Sequence, residues 1–395
     1  MGIKKTVALA DWKPSKKQIE LVNKVLKSGR LTYGPYHREL ESKFATAHNF
    51  KYCIFTNSGT SALEVSWAYL KETYNWPDGA EVIVPAVTFV ATVNVLLHNR
   101  LKPVLVDIDP DTLNIDPALI AKKITKKTVA ICPVDLLGRP CDIYPIKQLA
   151  RKYNLKIVED SCETMFVHHV SFHSTLGENA PVGSVADIAV YSSYLAHIIS
   201  TGVGGFICTN NKKWADDMRS MIWHGRDNYY LSIDDNSKNK KKLLETRFKF
   251  NRVGYSSRLT EMEASIGVDE VDRAEEIIGR RMLNVITLDL ELQKFQDKII
   301  LPSLEGDNAW MFYSIVCKDG IDRDKLVLFL EEKGIQTRGI MPLINQPVYR
   351  GMWDPNDYPV AQWLDKKGFL IGCHQFLTIQ DLKYVASVFK EYFHD

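Results

Sequence analysis

Three short stretches carry residue types that could do chemistry. In "NSGTSA", Asn57 to Ala62, small hydroxyl residues and a glycine stand between an apolar run and a helical pattern. Backbone N–H groups at a helix start, joined by the hydroxyls of Ser58 and Thr60 around Gly59, make a cradle for a phosphate. The same residues also cap helices that hold no ligand. In "IVEDSCE" a buried-strand pattern ends on Glu159 and Asp160, with Glu163 just beyond. Carboxylates gathered there suit an ion pair, a metal ion or a cationic ring nitrogen, and equally a helix cap or salt bridge. In "AVYSSYLAHIISTGVGG" a strand pattern ends at Ser192, and the glycine-rich turn that follows carries His197. With an ordinary pKa of about 6.5, a histidine is mostly neutral at about pH 7 and can accept a proton. As a lone feature at a strand-to-turn junction it reads as structural.

The elements that would position these residues follow from periodicity. "KYCIFTNSG", "AEVIVP", "KPVLVDID", "TVAICPVDLLG", "LKIVEDSCE", "SVADIAVYSS" and "GGFICTNN" are strand-like, and "TSALEVSWAYLKETY", "ATVNVLLHN" and "YPIKQLARKYN" have helical spacing. Continuous Val/Ile-rich strands alternating with helices predict a mostly parallel sheet covered on both faces. Ligands of such sheets bind at the carboxyl ends of the strands, where Ser58, Asp160 and Ser192 stand. A long helical region then leads to "MFYSIVC", "DRDKLVLFLEEKG" and "TIQDLKYVASVFKEYF", which predict a smaller α+β unit. The division expected is 1–265 for a large domain and 266–395 for a linking helix and small domain.

With 395 residues the chain exceeds the size of one compact core. Its net charge of +2 gives no broad reason to bind nucleic acid or an anionic membrane. The seven cysteines are odd in number and form no CxxC or CxC pair. That argues against a zinc ribbon or a closely ligated cluster, and for reduced, buried thiols in a cytoplasmic protein. No apolar leader and no membrane-length apolar run is visible. Gly2 and Thr6 match the loose myristoylation pattern only as a chance agreement. The cluster Lys238 to Lys242 reads as a solvated loop. The insertion "HHVSFHSTLGENAPV" carries His168, His169 and His173, and reads as a solvent-exposed active-site loop rather than a zinc site. In the small domain, Arg338 and His374 could face a substrate or a neighbouring subunit, or equally the surface.

Taken together and in order, these motifs become specific. "LTYGPYHRELESKFA", "NSGTSAL", "EVIVPAVTFVATVNV", "PVLVDIDPDTLNID", "GRPCDIYPIKQLARKYNLKIVEDSCE", "VGYSSRLTEMEASIG" and "PLINQPVYR" run along nearly the whole chain. They resemble the fold-type I pyridoxal-phosphate enzymes, and within them the DegT/DnrJ/EryC1/StrS family of nucleotide-sugar aminotransferases and dehydratases. The resemblance implies an α/β, aspartate-aminotransferase-like fold, with a large mostly parallel-sheet domain and a small α+β C-terminal domain. It implies that Ser58, Gly59 and Thr60, helped by Ser192, hold the cofactor phosphate, that Phe89 stacks on the pyridine ring, and that Asp160 pairs with the ring nitrogen. Glu163 stands where the family usually has Gln. Ser256 stands where it often has an Asn that reaches the phosphate of the neighbouring subunit in a homodimer. Val203 interrupts the family's G-[ED]-G-G turn.

The departure that bears on chemistry is His197, which replaces the lysine that holds the cofactor covalently. An imidazole has no primary amine, so the resemblance implies pyridoxal or pyridoxamine 5'-phosphate (PLP or PMP) held without a covalent link. No lysine lies between Lys156 and Lys212. One subgroup of the family, the sugar 3-dehydratases, resembles this solution. By that resemblance His197 acts as base while the C3 hydroxyl leaves a nucleotide-linked 4-keto-6-deoxy sugar, and glutamate or a similar amino donor restores the pyridoxamine form. Two other readings are a sugar aminotransferase that uses a lysine from elsewhere, and a non-catalytic member that binds cofactor or sugar.

Overall fold

The Val/Ile-rich runs form one seven-stranded sheet in the computed structural model, which describes residues 6–170, 179–226, 241 and 248–394. Gly2, His173 and, apart from Lys241, the Lys238 to Lys242 cluster lie outside the described residues. The strands are β1 (Tyr52–Thr56), β2 (Glu81–Pro85), β3 (Lys102–Val106), β4 (Thr128–Ile131) and β5 (Lys156–Asp160); β6 (His168–Val170) and β7 (Asn179–Pro181) form a separate hairpin; β8 (Ile188–Ser192) and β9 (Gly205–Thr209) complete the sheet. Their order is β1-β9-β8-β5-β4-β2-β3. β3, β2, β4, β5 and β8 run parallel, and β9 is antiparallel to both of its neighbours. β2, β8 and β9 are buried at every residue, which is why they read as unbroken apolar runs rather than alternating ones.

Each parallel step needs a crossover, and the helices Gly59–Tyr74, Val90–His98 and Ile143–Tyr153 supply three of them. The long helical region is two helices, Glu261–Asp272 and Ala274–Leu292, separated at Arg273. A capping box between Thr260 and Glu263 starts the first. The second begins a separate core, in which Val285, Leu288 and Leu292 pack with Tyr313, Ile315, Phe369 and Ile371 and with Leu382, Val385 and Phe389 of the last helix, Ile379–His394. The sheet of this core, β10 (Ile299–Ile300), β11 (Tyr313–Cys317), β12 (Thr337–Gly339) and β13 (Gly368–Ile371), is antiparallel in the order β10-β11-β13-β12. Val7 bridges to Ile335, so the N-terminal segment joins the C-terminal unit. No helix among the described residues is long and apolar enough to cross a membrane. All seven cysteines are free thiols, six of them buried and Cys162 partly so.

Candidate active site

The phosphate-type turn forms where a strand must reverse into a helix. Ser58 is the N-cap of Gly59–Tyr74, and its Oγ accepts a hydrogen bond from Ser61 N at 3.0 Å. The first N–H groups of that helix have no acceptor within it. Pairing across β1, β9 and β8 sets Thr56 opposite Gly205 and Gly205 opposite Ser192, so the turn and Ser192 lie abreast. Two glycines permit this approach. A Cβ on Gly59 would lie 2.6 Å from Cys162 Sγ and 3.0 Å from Ser192 Cβ, and one on Gly205 would lie 2.4 Å from Gly59 N. Ser58, Gly59, Thr60 and Ser192 are thus brought together, with Cys162 as a neighbour that sequence reading passed over.

Asp160 ends β5 and is buried. Its Oδ2 accepts from Thr92 Oγ1 at 2.8 Å and its Oδ1 from Cys162 N at 3.2 Å. No cation among the described residues pairs with it, and burial pushes its pKa above the usual carboxylate range. A buried carboxylate in that condition is suited to a cationic ligand atom. Phe89 is the N-cap of the helix Val90–His98, which carries Thr92 in its first turn. Phe89 is 50% exposed.

His197 lies on the turn after β8, its N–H bonded to Tyr194 O at 2.9 Å. Hydroxyls lock the turn: Ser193 Oγ and Thr201 Oγ1 are 2.7 Å apart, and Thr201 Oγ1 donates to Val203 O at 2.7 Å. Val203 is 48% exposed on this turn. The Nδ1 of His197 is buried without a hydrogen-bond partner. Burial pushes the imidazole pKa down to about 4; the Tyr194 carbonyl opposes the shift and the Arg281 guanidinium adds to it. The ring is therefore neutral near pH 7. No lysine is among the described charged groups acting on His197 or Asp160.

Glu163 serves the backbone. Its Oε2 accepts from Leu137 N at 2.8 Å, supporting a residue at a φ of 58°. Burial pushes its pKa up to about 7 and the Asp160 charge adds to this. Ser256 is exposed on a segment paired with Trp223, and its Oγ accepts from Arg258 at 3.0 Å. The chain beside it reaches the phosphate turn, because Asn57 N donates to Ser257 O at 2.9 Å.

This arrangement can be set against known proteins. The sequence pattern of the DegT/DnrJ/EryC1/StrS aminotransferase family matches residues 13–390. The chain belongs to this family. Among its relatives, the GDP-perosamine synthase of Caulobacter vibrioides is 30% identical, with 90% of this chain and 89% of that protein covered. The GDP-4-keto-6-deoxy-D-mannose 3-dehydratase of Escherichia coli O55:H7 is 28% identical, with 94% of this chain and 96% of that protein covered. A crystal structure of GDP-4-keto-6-deoxymannose-3-dehydratase with a trapped PLP-glutamate geminal diamine matches with a TM-score of 0.86 at 26% identity, covering 97% of this chain and 100% of that one. The fold is that of the fold-type I aminotransferases, as the motifs implied.

Within the histidine-rich insertion, expected as a solvent-exposed loop, His168 and Val170 are partly exposed and His169 departs from the expectation. His169, on β6, is 1% exposed. Its Nε2 lies 2.8 Å from Glu159 Oε1 and its Nδ1 3.0 Å from Cys141 O. Asp135 and Cys141 complete a group close enough to ligate a metal, but both ring nitrogens of His169 already face acceptors, as suits a buried imidazolium. Burial opposes that charge, but Glu159 and Asp135 outweigh it and raise the pKa to about 9. His374, left open as surface or site, is buried at 3% exposure, whereas Arg338 is exposed.

A raised folded-state pKa stabilises fully below the unfolded value of about 6.5 and is lost as pH rises through about 9. Denaturant unfolding should therefore show a stability decline on the alkaline side that is absent from His169→Ala. That variant leaves Glu159 buried without its partner and should lose about 3–5 kcal/mol at neutral pH.

Proposed function

We propose that the protein is a PLP- and PMP-dependent 3-dehydratase of a nucleotide-linked 4-keto-6-deoxy sugar, with His197 as base, no covalent link to the cofactor, and glutamate or a similar amino donor. One observation carries the reading: the turn after β8 carries a histidine, whose carbonyl is held by the Arg281 guanidinium and which no lysine among the described residues acts on. The relatives named for GDP-linked sugars support the substrate class, and the PLP-glutamate adduct in a related structure supports cofactor and donor.

The residues fit the cofactor. A helix start cleared of side chains at Gly59 and Gly205 suits its phosphate, and the uncompensated Asp160 suits its ring nitrogen. When bound, this group supplies an amine for the keto carbon and a ring that draws off electrons. Ser58, Gly59, Thr60 and Ser192 hold the phosphate. Asp160 keeps the ring nitrogen protonated, and Phe89 covers one ring face against water. The neutral imidazole of His197 would be the general base for the proton removed beside the amine that the group supplies. Glu163 steadies the floor through Leu137, and Ser256 reaches the phosphate of a second copy in a homodimer. Gly59→Ala should weaken cofactor binding by about tenfold or more, about 1.4 kcal/mol, read by absorbance titration, because its Cβ would meet Cys162 Sγ at 2.6 Å.

The deciding experiment supplies the protein with PLP, glutamate and a GDP-linked 4-keto-6-deoxy sugar. The expected product keeps its keto group and lacks the C3 hydroxyl. An amino sugar that keeps that hydroxyl would select the aminotransferase reading, which the 30% identity to a perosamine synthase favours. A protein that neither turns over nor retains cofactor would be a non-catalytic member.

A further inference from the structure

Arg281, on the helix Ala274–Leu292, is 2% exposed yet forms no ion pair with a carboxylate among the described residues. Its guanidinium is spent on carbonyls. Nη1 donates to Trp310 O and Met311 O, both at 3.0 Å, and Nη2 donates to His197 O at 3.2 Å. Nε is sealed without an acceptor. Cys373 and Glu270 act on Arg281 electrostatically, but Cys373 Sγ donates to Trp310 O and the Glu270 oxygens are taken by Trp12 Nε1, Gln18 Nε2 and Ser200 N. A buried guanidinium without a counterion is costly, and an apolar residue would fill the same space more cheaply. The charge must therefore do something that an apolar residue cannot.

We infer that Arg281 is the positioning residue of the site: it ties the carbonyl of His197 to the Trp310–Met311 segment and so places the imidazole. The inference rests on His197 acting as base. The planar fork suits the task, since one guanidinium can serve three carbonyls in fixed directions where an ammonium offers a single point. The groups facing His197 are few. Tyr194 packs edge-on at 5.9 Å between ring centroids, Arg281 holds the His197 carbonyl, and Glu270 reaches the same turn through Ser200 N. His374, the other imidazole close to Arg281, is likewise pushed down to about 4, first by burial and then by the guanidinium. A cation under His197 disfavours the imidazolium, so the contact that places the ring also keeps it a base.

Two variants separate placement from charge. Arg281→Gln keeps a donor and removes the charge; Arg281→Lys keeps the charge and loses the fork. Histidine ring signals of the full-length protein, with and without PLP, are followed by NMR from about pH 5 to 9, and His197→Asn identifies the His197 signal. In the wild type that ring should stay uncharged throughout. In Arg281→Gln its midpoint should move upward, so that the ring begins to charge at the acid end of the range. In Arg281→Lys the ring should stay uncharged but shift in resonance, and in both variants kcat should fall about tenfold or more with KM within about twofold. If the Gln variant does not fold, the Lys variant decides alone by its resonance and kcat. A His197 signal and a kcat both at wild-type values would overturn the inference. The ring signal is read without turnover, so it stands or falls apart from which reaction the enzyme performs.

Discussion

His197→Lys should bond the cofactor to the chain and lose deoxygenation by about 10²–10⁴-fold, the usual worth of a placed general base. The argument is local. The turn is held by Ser193, Thr201, Glu270 and Arg281, none of which uses the His197 side chain, so the substitution changes the functional group and leaves its mounting. Burial that pushes the imidazole down to about 4 would also favour an uncharged amine, the form that attacks a carbonyl. Borohydride treatment and peptide mapping should then find the cofactor on residue 197, and none on any lysine of the wild type. His197→Asn is the companion, removing the base without adding an amine. It should lose activity equally and remain free of label. Unchanged product and spectrum in both would remove His197 from the mechanism, and a labelled lysine in the wild type would select the aminotransferase.

Asp160→Asn should cost about 3–5 kcal/mol in transition-state stabilisation, or about 10²–10⁴-fold in kcat/KM. Asn retains an oxygen that can accept from Cys162 N, so the end of β5 should persist. What disappears is the charge. Asp160 is a buried carboxylate with no cation, held above the ordinary range by that burial. A protonated ring nitrogen would reverse the shift, because an opposite charge at contact favours the ionised acid. Removing one partner strands the other, so cofactor affinity should fall with the rate. The test is kcat/KM together with a pH titration of cofactor absorbance. Activity within a few-fold of wild type would mean that the ring nitrogen works uncharged.

The two substitutions probe parts of the site that were legible to different degrees. The turn Ser58 to Thr60 and the strand-terminal Asp160 could be read directly, because a strand followed by small hydroxyl residues and a helix is a pattern of neighbours. The histidine insertion could not. His169 pairs with Glu159 because the hairpin of β6 and β7 folds back over the end of β5, and no local signal tells a buried histidine from an exposed one. Glu163 was legible as a carboxylate near the site, but its partner, Leu137 N, lies 26 residues away. The short strands β12 and β13 likewise lack the length that makes a period visible.

The chain alone determined the alternation of strands and helices, the glycines that let backbone meet backbone, and the presence of an imidazole on the turn that follows the strand ending at Ser192. These depend on side-chain period, on backbone freedom and on elemental composition, each a property of a residue and its immediate neighbours. Tertiary structure decided which strand ends lie abreast, that Cys162 closes over Gly59, and that a guanidinium 84 residues from His197 sits beneath its turn. The reason is that strand register and helix packing are settled by burying many apolar groups at once, and a sum over distant partners leaves no mark on any single stretch of sequence.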